Sequence, residues 1–174
     1  MKTVLITGAS SGIGKAAAEK FAANGYFVGV CYNVNKAAAE TLAEKIHGVA
    51  IRMNVTDCSS VSQAFDAFLQ RAGKLDVLVN SAGVALPVKT LLDTSEDEFD
   101  RVFSVNVKGT YNAIKRALPC LLEHGGSIVN VSSMWGVAGG SCEGIYSASK
   151  AAVIGLTKAL AKEYAGSGVT VNCV

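Results

Sequence analysis

The chain has 174 residues, half of them hydrophobic and only 17% charged, with a formal net charge of +2. So much apolar surface excludes disorder. Mixed signs with no basic block argue against nucleic acid or an anionic membrane as the main partner. No apolar run approaches the roughly 18 residues of a membrane helix, and Val4-Leu5-Ile6 is too short for a signal peptide. A cytoplasmic globular domain is expected.

In chain order, Thr3–Thr7 reads as a strand and Gly12–Asn24 as a helix. Strand Phe27–Tyr32 leads to helix Lys36–Ile46, strand Val49–Asn54 to helix Ser59–Ala72, and strand Leu75–Asn80 to a long helix over Ser95–Glu123. Strand Ser127–Val131, helix Ile145–Ala165 and strand Val169–Cys173 complete the series. The strand runs are rich in Val and Ile and apolar on both faces, as strands covered on both sides should be. This alternation predicts one α/β domain over 1–174, a doubly wound parallel sheet with helices on both faces. Gly109 and Pro119 predict a kink or break in the long helix.

Five cysteines without a C-x-x-C pair, and two histidines in the whole chain, give poor support to a zinc site; no metal is expected. The thiols read as reduced and mostly buried.

The first strand runs into Thr7-Gly8-Ala9-Ser10-Ser11-Gly12-Ile13-Gly14, where a helix begins. Glycines at such a turn let backbone amides approach a phosphate, and the helix N-terminus adds partial positive charge. The spacing G-x-x-x-G-x-G differs from the best-known dinucleotide fingerprint. Gly8–Gly12 also fits the G-x-S-x-G elbow of hydrolases, and Gly140–Gly144 mimics a cysteine version. Only His47 and His124 are available as a base, no strands precede the one that carries the turn to build a sheet around it, and Gly14 would go unexplained. Hydrolysis is therefore disfavoured.

Tyr146-Ser147-Ala148-Ser149-Lys150 opens a helix. A spacing of four puts Tyr146 and Lys150 on one helical face, where an ammonium favours the phenolate form of a neighbouring phenol. Ser132-Ser133 and Asn80-Ser81-Ala82-Gly83 each follow a strand. In a parallel sheet they lie, like the glycine turn, at the carboxyl edge where ligands bind.

Taken in order, Thr7-Gly8-x-x-x-Gly12-Ile13-Gly14, Asn80-x-Ala82-Gly83, Asn106, Ser133 and Tyr146-x-x-x-Lys150 make the sequence resemble the short-chain dehydrogenase/reductase family, in its ketoreductase-like branch. The resemblance runs from Lys2 to the last residue. It implies a Rossmann-like fold and hydride transfer between a nicotinamide cofactor and a carbonyl or alcohol carbon. By the same resemblance, Tyr146 protonates the carbonyl oxygen and Ser133 orients it. Lys150 acts on Tyr146 and on the nicotinamide ribose, and Asn106 holds a water in a proton relay. Gly8, Ser10, Ser11, Gly12, Ile13, Gly14, Tyr32, Asn33, Asn54, Val55, Asn80, Ala82 and Gly83, with Tyr146 and Lys150, are the implied cofactor residues. Two departures matter: Ser81 replaces the family's usual Asn, a mild change, and Asn54 replaces its usual Asp, with an amide that can still bond adenine beside Val55.

Family members that use NAD place an acid at the end of the second strand, where Tyr32 stands here. No Asp or Glu occurs between Glu19 and Glu40, while Asn33 and Lys36 could accept a phosphate. NADP(H) is expected, with NAD(H) possible. The branch looks most like 3-oxoacyl-carrier-protein reductases, so a small-molecule or carrier-bound keto substrate is implied. Ser132–Gly136 and Ser141–Glu143 also resemble enzymes that reduce the 5-aminopentanone modification on elongation factor P. A non-catalytic dinucleotide-binding protein of the same fold is the other class, and retention of Tyr146 and Lys150 speaks against it.

Met134 and Trp135 read equally as mouth-lining or packing residues. Small residues Ala148, Ala151, Ala152, Gly155 and Ala159 permit close packing on the sheet or on a neighbouring subunit, and the resemblance implies a homotetramer or dimer. Six strands are present. The family's substrate-covering segment and seventh strand do not follow Val174, so a chain incomplete at its C-terminus is expected, the alternative being a natural minimal form with an exposed edge strand that needs cover. A chain ending at Val174 is expected to have dinucleotide affinity but little turnover.

Overall fold

The computed structural model describes residues 1–174. Strands β1 (Thr3–Thr7), β2 (Phe27–Tyr32), β3 (Val49–Arg52), β4 (Val77–Asn80), β5 (Gly126–Asn130) and β6 (Val169–Cys173) form one six-stranded sheet. Its order is β3-β2-β1-β4-β5-β6, and every neighbouring pair is parallel. The connecting helices are α1 (Gly12–Ala23), α2 (Lys36–Lys45), α3 (Cys58–Ala72), α4 (Glu96–Phe103), α5 (Gly109–His124), the short α6 (Trp135–Ala138) and α7 (Gly144–Glu163). This is the doubly wound Rossmann order. The chain starts in the middle of the sheet, winds outward to β3, then returns beside β1. The crevice between β1 and β4 is the topological switch point, where such sheets take their ligands.

Strand alternation divides the core into two layers. Leu5 and Leu78 point to one face, packing with Phe65 and Phe68 of α3 and Ala113, Ile114 and Ala117 of α5. Val4, Ile6, Val77 and Val79 point to the other, against Ala18 of α1 and Ala39 and Leu42 of α2. The expectation of strands covered on both sides holds for the central β1 and β4, whereas β3 and β6 are edge strands and β6 exposes Thr170 and Asn172. No helix is long and apolar enough to cross a membrane.

Strand β3 stops at Arg52, although the Met53 N–H still donates to the Tyr32 carbonyl at 2.7 Å. Leu75, expected in β4, lies just before it and is nonetheless buried. The long helix is not continuous: α4 and α5 are separated by a π-helical segment, Ser104–Lys108, that ends against Gly109. Gly109 is required there, since a Cβ would come within 2.6 Å of the Val55 side chain. Pro119 causes no break. It sits on the exposed side of α5, one turn after the exposed Lys115, so the carbonyl deprived of its N–H partner faces water.

The cysteines depart from expectation. Only Cys31 is buried; Cys58, in the first turn of α3, and Cys142, in the turn before α7, are exposed. The small residues of α7 are also settled: Ala148, Ala151, Gly155 and Ala159 face outward, while Ser147, Lys150, Val153 and Thr157 face the sheet.

Candidate active site

At the switch point the Thr7 hydroxyl accepts the backbone N–H groups of both Ser81 and Ala82, each at 3.1 Å, tying the end of β1 to the end of β4. Gly8 follows with φ +65°, and a Cβ on it would lie 2.7 Å from the Ala82 Cα. The two strand ends meet backbone to backbone, which only glycine allows. Gly14 serves a different contact: its Cβ would lie 2.5 Å from the Gly8 carbonyl oxygen. Ser11 precedes α1 in extended conformation, and no side chain caps the helix. The N–H groups of the first turn are thus free of intrahelical and side-chain partners.

These features border a groove of about 650 Å³ along the carboxyl edge of the sheet. Gly8, Ser10, Ser11, Gly12, Ile13, Asn33, Asn54, Val55, Ala82, Gly83, Tyr146 and Lys150 all line it, bringing most of the sequence candidates to one place. Its length, its glycine floor and the uncapped start of α1 fit an extended ligand with a phosphate near its middle.

Several candidates stand elsewhere. Tyr32 is 9% exposed and turned into the core layer with Ala39 and Leu42, leaving Asn33 to face the groove. Lys36 pairs with Glu40 on the exposed side of α2. Asn80 is buried within the sheet, where its Nδ2 donates to the Asn130 Oδ1 at 2.9 Å. Asn130 passes the chain on to Thr157 of α7 at 2.9 Å. Asn54 lines the groove while its Oδ1 accepts the N–H and hydroxyl of Thr56. Ser133 lies beside the groove but does not line it, and its Oγ accepts the Trp135 N–H at 3.2 Å. Trp135 is a packing residue, since a Cβ on Gly140 would lie 2.9 Å from its indole; Met134 is exposed.

Lys150 is 6% exposed. Its Nζ donates to the Val131 carbonyl at 2.8 Å and lies 5.7 Å from the centroid of the Tyr146 ring. The Ser132 hydroxyl donates to the Lys150 carbonyl at 3.0 Å, fixing α7 to the end of β5. Burial pulls the Lys150 pKa below the ordinary lysine value.

Asn106 lies in the π segment, 1% exposed. Its Oδ1 accepts the Val84 N–H at 2.8 Å, and its Nδ2 donates to the Val84 carbonyl at 2.9 Å and to the Ser149 hydroxyl at 3.0 Å. Ser149 in turn donates to the Tyr146 carbonyl at 2.7 Å. The Asn106 amide thus joins the loop after β4 to the helix that carries Tyr146 and Lys150. A Cβ on Gly83 would meet both the Asn106 Oδ1, at 3.4 Å, and the Lys150 Nζ, at 3.5 Å.

Sequence reading missed Arg101, on the last turn of α4, which lines the groove with Val84, Ala85 and Val105. Arg101 and Lys150 are the only charged residues lining it, and both are cationic.

The doubly wound sheet and the uncapped glycine turn, opening on one groove that Tyr146 and Lys150 also line, define a dinucleotide-binding type of α/β protein. The family model for short chain dehydrogenases matches residues 2–174. The chain belongs to the short-chain dehydrogenase family and is an NAD(P)-dependent oxidoreductase. It is 42% identical over 179 aligned positions to a 3-oxoacyl-[acyl-carrier-protein] reductase of Staphylococcus aureus, an alignment covering 99% of this chain and 72% of that protein. A 3-oxoacyl-[acyl-carrier-protein] reductase of Thermotoga maritima is 39% identical, with the same coverage. Among solved structures, the 3-ketoacyl-(acyl-carrier-protein) reductase of Brucella melitensis complexed with NADH superposes with a TM-score of 0.96 at 34% identity. That superposition covers 99% of this chain and 74% of the other.

Proposed function

We propose that this protein reduces a ketone to an alcohol with NADPH, on a 3-oxoacyl thioester or a similar keto substrate. The observation that carries the proposal is the convergence of the glycine turn, Tyr146 and Lys150 on a single groove. When bound, the reduced nicotinamide supplies a hydride to the carbonyl carbon. The chain's own residues then have to manage the charge that develops on oxygen. Tyr146 donates its phenolic proton to that oxygen, and Ser133 hydrogen-bonds it, once its hydroxyl proton turns toward the substrate. Lys150, buried and held by the Val131 carbonyl, keeps a cation beneath the Tyr146 ring and offers further N–H donors to ribose hydroxyls. Asn106 positions both sides of the site through Val84 and Ser149.

The preference for NADPH is supported by a groove with no carboxylate in its lining and by Asn33, not an acid, facing it after β2. The outward small residues of α7 support a homo-oligomer. Replacing Tyr146 by Phe is expected to remove nearly all NADPH oxidation with keto substrates while leaving dinucleotide binding intact. Retained turnover would refute the proton-donor assignment, and equal kcat/KM for NADH and NADPH would refute the cofactor preference.

A second reading, reduction of an aminoketone such as the 5-aminopentanone modification on elongation factor P, is favoured by the charge beside Tyr146. Glu143 lines the cleft next to it, and Glu96 and Asp100 line the adjoining cavity of about 380 Å³. The one cation there, Lys89, is tied to Glu98. Carboxylates favour a cationic ketone over an anionic carrier. Turnover of β-keto thioesters, neutral diketones and aminoketone-modified peptides, compared in one panel, separates the two readings. A Glu143→Gln variant that lowers kcat/KM only for the aminoketone would select the second.

A further inference from the structure

We infer that Arg101 is a dinucleotide-binding residue that closes on the pyrophosphate from the side of the groove opposite the glycine turn. The inference rests on the groove being the dinucleotide site. Helix α1 packs on the sheet face of Val4, Ile6 and Ala18, whereas α5, which continues from α4 through the π segment, packs on the opposite face with Leu5 and Leu78. The groove therefore has a wall from each layer. From the α1 layer come backbone N–H groups and the uncharged Ser10, Ser11 and Ile13, with no basic side chain.

A pyrophosphate carries two negative charges, and a helix N-terminus offers only about half a positive charge. Lys150 is anchored to Val131 at the β5 end. Arg101 is the remaining cation, and its guanidinium forms no hydrogen bond or ion pair within the protein. Its planar fork suits phosphate oxygens in two-point contact. Helix α4 packs against α7, and Arg101 lines the groove with Val84 and Ala85, which follow β4, while Asn33 lies beyond β2 on the far side of β1, so the contact serves the central phosphates shared by both nicotinamide cofactors.

The test is direct binding, read by protein and nicotinamide fluorescence, with NADH, NADPH, ADP-ribose and AMP on the wild type, Arg101→Gln and Arg101→Lys. The glutamine variant is expected to weaken NADH, NADPH and ADP-ribose about tenfold each, to leave AMP within twofold, and to be partly rescued by lysine. Unchanged affinities, with only a shift in melting temperature, would reduce Arg101 to a cation at the end of α4. A loss confined to NADPH would overturn the pyrophosphate assignment. Absence of NADH and NADPH binding by the wild type would overturn the dinucleotide reading itself.

Discussion

Asn106 holds both backbone polar groups of Val84, accepting its N–H at 2.8 Å and donating to its carbonyl at 2.9 Å. The contact spans 22 positions of sequence and fastens the loop that floors the groove. Replacing Asn106 by Leu keeps the volume but leaves the Val84 pair and the Ser149 hydroxyl without this partner. The variant is expected to lose about 2–3 kcal/mol of stability and to show faster amide exchange at Val84. Unchanged exchange at Val84 would remove the fastening role.

Lys150 provides a test of the opposite sign. Its native pKa lies below the ordinary lysine value because it is buried, so the unfolded chain binds more protons between the two values. Stability of the ligand-free protein should therefore rise with pH through that window, toward the ordinary value of about 10.4. Lys150→Met removes the buried cation. It is expected to match or exceed the wild type in melting temperature at pH 7, to lose this part of the pH dependence, and to lose keto reduction at least a hundredfold. A pH profile identical to the wild type's would contradict the burial argument.

The glycines of the turn are unequal. Gly14→Ala drives a Cβ to 2.5 Å from the Gly8 carbonyl oxygen, while Gly12→Ala meets nothing within 4 Å and carries only the strain of φ +52°. Gly12→Ala is expected to cost about 1–2 kcal/mol. Gly14→Ala should cost about 1–3 kcal/mol from overpacking and, by pushing α1 away from β1, weaken dinucleotide binding more. Equal effects on binding would show that the α1–Gly8 contact does not set the groove.

Asp76 joins the start of β1 to the approach to β4. It accepts the Thr3 N–H at 2.7 Å and pairs with Lys74 at 2.8 Å. Burial opposes its charge, but the Lys74 and Thr3 hydrogen bonds prevail and hold its carboxyl below the usual aspartate value. A depressed carboxylate contributes stability above its unfolded pKa of about 3.9 and loses it as the pH falls through the native value. Asp76→Asn should cost about 1–2 kcal/mol at pH 7, with the gap to the wild type closing as the pH falls below the ordinary aspartate value and through the lower native one. A gap that persisted in acid would point to packing as its source.

Much of this was readable from the residues alone. The bounds of β1, β2 and β6 match expectation because Gly, Asn and Ser clusters flank strongly β-branched runs. A break in the long helix is expected from Gly109 and Pro119, and it falls just before Gly109; the bond from Asn106 of the π segment to Val84 is a contact no local periodicity encodes. Tyr32 and Asn80 are implied as cofactor residues by the family resemblance, through their positions at strand ends. Which way a terminal residue faces follows from the pleat, and there one turns into the core while the other bonds its neighbour strand. The short α6, Trp135–Ala138, is a single turn and offers no 3.6-residue period to detect. Arg101 carries no motif at all. Its place on the groove emerges only when two layers of helices close over one sheet edge.

The uncapped start of α1 has one more consequence. Ser11 stands at the N-cap position without bonding the first turn, although serine is a favoured capping residue. An anion seated there would complete the helix, so ligand affinity and the order of α1 become one equilibrium observed from two ends. The first turn, Gly12-Ile13-Gly14, then acts as the gauge of occupancy: its amides should exchange freely in the ligand-free protein and slow together as the groove fills.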